Sequence, residues 1–146
     1  MYNGLIHAHN GFRWLVVLFL VIAIIKSFSG WKNNKSFDKS DNLIALLLLS
    51  FTHIQFILGL VLYFMSGKLA SIGESMKDGA LRFWALEHGL LMIIAIVLIT
   101  IGRVKSKKAA TDVLKHKKGV IFYSVAFLII LWAGLVKPYL LGKPWF

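Results

Sequence analysis

Four stretches of this chain are apolar for long enough to cross a hydrocarbon core, and no other feature limits its fold as sharply. They run from about Leu5 to Ile25, Leu43 to Met65, Ala80 to Ile101 and Val120 to Val136. At a helical rise of about 1.5 Å per residue they reach roughly 25 to 35 Å, enough to span a bilayer with some tilt. Four strands would leave backbone groups unpaired in lipid, so the segments are helices. The connections SFSGWKNNKSFDKSD, SGKLASIGESMKDG and GRVKSKKAATDVLKHKKG carry helix breakers and are short. Short connections make successive helices antiparallel neighbours. The expected fold is an all-α, integral membrane, up-down-up-down four-helix bundle, with residues 1–146 as a single domain.

Charge then sets orientation. Of 17 Lys and Arg residues, eleven fall in the first and third connections: Lys26, Lys32, Lys35, Lys39, Arg103, Lys105, Lys107, Lys108, Lys115, Lys117 and Lys118. The positive-inside rule places those connections in the cytoplasm, so both termini are expected on the periplasmic side of a bacterial inner membrane. Phe83, Trp84, Tyr139 and Trp145 would lie near the outer interface. A net charge of +11 raises nucleic acid as a partner, but the basic residues cluster in loops between apolar runs. Topology and anionic headgroups account for that placement, and no nucleic-acid role is expected. The N-terminus MYNGLIHAHNGFRW lacks a basic n-region and a cleavage site, so the first helix is expected to be retained. The chain has no cysteine. Disulfides, thiolate metal sites and covalently attached c-type haem are thereby excluded.

Polar residues inside the apolar runs are the candidates for function. Counted along the helices, His53 lies about 18 Å below the outer end of the second helix, His88 about 12 Å below that of the third, and His9 about 6 Å below that of the first. An ionisable side chain near the midplane is costly and is usually there for function. His116 sits in a basic connection and is expected to be a solvated loop residue, and His7 an interfacial one. Inward-facing imidazoles from different helices suit the axial positions of a b-type haem. The first expected pair is His53 with His88, and His9 is the substitute partner. Arg13 would meet a haem propionate, Trp84 lies one turn before His88, and Gln55, a backbone carbonyl or Glu87 would hold a second imidazole nitrogen. The same residues also fit other uses. Glu87 and Arg13 form an ion pair between the third and first helices in one; a bare metal site uses the three histidines with Glu87 in another; a proton path uses Glu87, His53 and Gln55 in a third.

The order HAHNGFRW, THIQFILGLVLYF, RFWALEHGLLMIIAIVLITIG, then a Lys-rich loop and a C-terminal PW, resembles a group of small four-helix membrane proteins of Bacteroidetes-type bacteria often labelled cytochrome b. The likeness covers nearly the whole chain, and the matching positions are His9, Arg13, Trp14, His53, Gln55, Glu87 and His88. It implies a histidine-bound b-haem and electron transfer. No nucleophile–base pair, phosphate-cradling loop or dinucleotide fingerprint is present, so no catalysis is expected of the single chain. The expected function is an electron relay, acting alone, as a homodimer or within a larger membrane complex. The alternative is a cofactor-free accessory subunit of such a complex.

Overall fold

The computed structural model describes residues 1–143; Trp145, expected among the interfacial aromatics, lies outside them. It is helical throughout its ordered elements, with no strand among the described residues. Helix α1 is Tyr2–Lys32, α2 Lys39–Met65, α4 Gly79–Lys107 and α5 Asp112–Leu140, while α3 is a single turn at Ile72–Ser75. The four long helices are each long and apolar enough to cross a membrane.

All four extend beyond the apolar runs that announce them. α2 starts at Lys39 because Asp38 and Asp41 form a reciprocal cap. The Asp38 carboxylate accepts from the Asp41 N–H at 2.9 Å, and the Asp41 carboxylate accepts from the Asp38 N–H at 3.0 Å. The pair satisfies backbone donors that the first turn leaves orphaned. The Asp41 N–H is the main reason the Asp38 carboxyl titrates below its ordinary range. α5 starts at Asp112, where Thr111 Oγ1 accepts from the Leu114 N–H at 3.3 Å. The Lys-rich flanks thus stay helical, as good helix formers whose ammonium groups reach outward along apolar stems.

α1 packs against α2 and α5, and α4 packs against α5 and less extensively against α2; α1 and α4 stand on the diagonal. The core is a column of Val16, Leu20, Leu48, Ile99 and Tyr123, interleaved with Ala23, Ala95 and Ala126. Small residues let the backbones approach closely. Gly102 makes the point. A Cβ there would stand 2.5 Å from Phe122 Cβ, so only glycine permits the observed α4–α5 spacing. Outward, the helices present large apolar side chains such as Leu90, Ile93, Val125 and Leu128.

His116 departs from its expected place in a solvated loop. Early capping by Thr111 puts it one turn inside α5, where it is 1% exposed, packs onto Gly30 and lies 5.1 Å from the Phe37 ring. Its Nε2 lies 3.4 Å from the Ser36 carbonyl. Arg103 is buried as well and donates to Asn42 Oδ1 at 2.6 Å, tying α4 to α2. Lys26 pairs with Asp41 at 3.2 Å beside it.

Candidate functional site

At the opposite end of the bundle, two helices lose their regular register. α4 contains a π turn at Phe83–Glu87, immediately before His88, and α5 contains one at Leu131–Val136. A π turn widens the helix and releases backbone groups from the usual ladder, and such turns concentrate at functional sites. Here the released carbonyls have identifiable receivers. Tyr63 on α2 donates its hydroxyl to Ala85 O at 2.9 Å. In α5 the Lys137 N–H reaches back five residues to Trp132 O. The next residue is Pro138, which has no N–H to donate. Residue 138 would have engaged Ala133 O in the π register or Gly134 O in the α register; the missing N–H leaves one of them available, and the return from π to α register leaves the other.

Both are used by side chains from other helices. His88 Nδ1 lies 2.9 Å from Ala133 O, and Arg13 Nη1 donates to Gly134 O at 3.2 Å. A carbonyl can only accept, so His88 carries its proton on Nδ1 and keeps a lone pair on Nε2. α1, α4 and α5 are thus joined through one proline-interrupted segment.

α2 closes the fourth side. Gln55 Nε2 donates to the His9 backbone carbonyl at 2.9 Å. The His9 ring lies over Gly59, where a Cβ would stand 3.0 Å from His9 Cε1. His9 Nδ1 and Gln55 Oε1 are buried without a hydrogen-bond partner among the described residues. Such orphans are uncommon and call for an explanation. Arg13 lies near enough to act electrostatically on both His9 and His88.

An aromatic cover lies over His88. The Trp84 and Phe83 rings are centred 5.6 and 5.8 Å from its imidazole, and Phe83 is 1% exposed. Lys68, in the connection after α2, places its ammonium 5.5 Å above the Trp84 ring. Burial, and then the charge of Lys143, hold the Lys68 pKa below its ordinary value.

Of the residues singled out in the sequence, His9, Arg13, Gln55, Trp84 and His88 come together. His53 does not join them. It is exposed on the outer side of α2, with Nδ1 2.8 Å from the Leu49 carbonyl of its own helix. Glu87 pairs with Arg82 at 2.7 Å rather than with Arg13, because the π turn brings residues 82 and 87, five apart, into register. Among the described residues no three His, Cys, Asp or Glu side chains gather as a bare metal site would need. The sequence allowed a backbone carbonyl at the second imidazole nitrogen without saying which, and Ala133 O fills that place; it did not point to Gly134 O as a partner of Arg13, or to Lys68. Pro138 was the available signal for the carbonyls. No known protein family, curated protein or solved structure matches the chain.

Proposed function

We propose that the chain is an up-down-up-down, four-span protein of a bacterial inner membrane, with both termini periplasmic, and that it relays electrons through a b-type haem held by His9 and His88. The spanning reading is supported by four helices of sufficient length and apolarity and by their apolar outward faces. The orientation is supported by eleven basic residues in the first and third connections against six elsewhere.

One observation carries the haem reading: two imidazoles on diagonal helices share the same end of the bundle, and each has a ring nitrogen to which no protein group is hydrogen-bonded. In His9 this is the buried, orphaned Nδ1, and in His88 it is Nε2, whose lone pair is left by the tautomer that the Ala133 contact selects. A bis-imidazole iron requires one lone pair from each ring. The donor chemistry therefore fits the group. His9 and His88 would hold its iron, and Arg13 would face a propionate. When bound, haem supplies a one-electron couple.

The rest is work of the chain itself. Ala133 O fixes the tautomer and direction of His88, as partners of metal-binding histidines do. Phe83 and Trp84 shield the imidazole from water. Gly59 leaves the space that the His9 ring enters. The second reading, a cofactor-free subunit of a membrane complex, draws on the close fit of His9 against Gly59 and of Phe83 against His88.

A reduced-minus-oxidised spectrum of the purified protein distinguishes the two. Haem bands that are lost in His9→Ala and His88→Ala but persist in His53→Ala support the relay. Colourless, folded protein from haem-replete cells ends it in favour of the second reading.

A further inference from the structure

The outward face of α2 has an unusual feature at its centre. Leu43, Leu46, Ser50, His53, Ile57, Leu60 and Phe64 are all exposed, and they follow one another at alternating steps of three and four residues. That spacing defines a continuous seam along a helix, the pattern by which two helices pack knobs into holes. α2 is also the least covered helix: 17% of its apolar stretch is buried within the chain, against 39% for α5. The outward rows of α4 and α5, represented by Leu90, Ile93 and Val97 and by Ile121, Val125 and Leu128, are wholly apolar, as a surface against lipid tails should be. The α2 row is not. Its middle holds Ser50 and His53, and His53 is one residue past Thr52, the midpoint of Lys39–Met65.

Hydrogen bonding makes this placement costly if lipid covers it. His53 Nδ1 faces the Leu49 carbonyl and must carry the ring proton, so Nε2 is a bare acceptor pointing outward. Among the described residues Ser50 makes no hydrogen bond, unlike Thr52 and Thr100, whose hydroxyls donate to carbonyls four residues back. At this depth no water is available to satisfy either group. One donor and one acceptor, a single turn apart on the same face, are self-complementary.

We propose that this seam is the interface of a parallel homodimer, in which the Ser50 hydroxyl of each copy donates to Nε2 of His53 in the other. A two-fold axis along the membrane normal brings the two central turns face to face and satisfies both groups twice, as an isologous contact requires. The apolar positions on either side supply the packing. The polar pair fixes register, the role a single polar layer plays in two-stranded helical seams. The proposal rests on the membrane-spanning reading and not on haem.

The absence of cysteine makes the test direct. Single cysteines are placed on the seam, in Leu46→Cys, Ile57→Cys and Leu60→Cys, and off it, in Leu90→Cys and Val125→Cys. Each is oxidised in native membranes after a carbonate wash. Dimers confined to the seam variants, with detergent-solubilised protein at twice the 16.5 kDa chain mass, are expected. Adding Ser50→Ala with His53→Leu to Ile57→Cys should remove most of the cross-linked product. Both replacements are on an exposed face, and retained helicity would show that the fold survives.

Equal cross-linking on and off the seam, monomers throughout, seam cross-links only to another protein, or no effect of the double replacement would each overturn the homodimer. Release of the chain by carbonate would overturn the spanning reading instead.

Discussion

Replacing Pro138 with alanine tests the origin of the polar site, because it restores a donor for Gly134 O in the α register and lets the Lys137 N–H move from Trp132 O to Ala133 O as the π turn relaxes. An alanine N–H at 138 can reclaim Gly134 O and draw the Leu131–Val136 turn into a regular α-helix. Removing proline from a helix interior is worth about 3 kcal/mol of helix stability. Against this, the Arg13 bond to Gly134 is charge-assisted, worth about 1.5–3 kcal/mol, and the His88 bond to Ala133 is worth about 0.5–1.5 kcal/mol. The gains and losses nearly cancel. Pro138→Ala is therefore expected to unfold in detergent close to the parent midpoint, while His88 loses its anchor. Histidine acylation followed by mass spectrometry reads the second effect without reference to any cofactor. His88 should become more reactive, and His116, buried at the other end, should not change. A variant stabilised by the full ~3 kcal/mol with His88 still protected would refute the reasoning, since the carbonyls would then have served the helix and the side chains together.

Two further outcomes follow from the packing and the charges. Gly102→Ala places a methyl 2.5 Å from Phe122 Cβ and should destabilise the protein by about 1–3 kcal/mol in denaturant titrations, whereas Gly89→Ala, in the same helix with nothing within 4 Å, should stabilise it by about 0.5–1 kcal/mol. Lys68 titrates below its ordinary 10.5 in the folded chain because burial, and then Lys143, disfavour the charged form. The unfolded state therefore binds the proton more tightly, and stability rises with pH between the lowered folded pKa and about 10.5. Lys68→Met should remove that pH-dependent gain, read as a flatter stability–pH curve over this window; an unchanged slope would show that Lys68 is not desolvated.

The sequence made some of this legible for a physical reason, and hid the rest for another. Apolar length is a one-dimensional property, so four helices could be read from composition along the chain. Their ends could not, because hydropathy falls at Lys39 and Asp112 while the backbone stays helical; the caps at Asp38 and Thr111, not the apolar content, decide where the turns begin. His116 was misplaced by the same error of one boundary. Position along each apolar run was also countable, which is why His9, His53 and His88 could be singled out. Azimuth was not. α2 is apolar on nearly every side, so no amphipathic stripe says which way His53 points, and the answer comes only from which faces α1 and α4 cover.

The two kinds of information meet at α5. Its apolar stretch fixes that it is a helix, but one proline, Pro138, and the π turn before it determine which carbonyls leave the ladder, and those carbonyls determine where His88 and Arg13 come to rest. Proline acts here by subtraction, as a donor withheld, and a subtraction leaves no mark on a hydropathy profile. It becomes readable only when the i−4 and i−5 partners of the missing N–H are sought along the chain, and when the buried polar side chains on neighbouring helices are considered as their replacements.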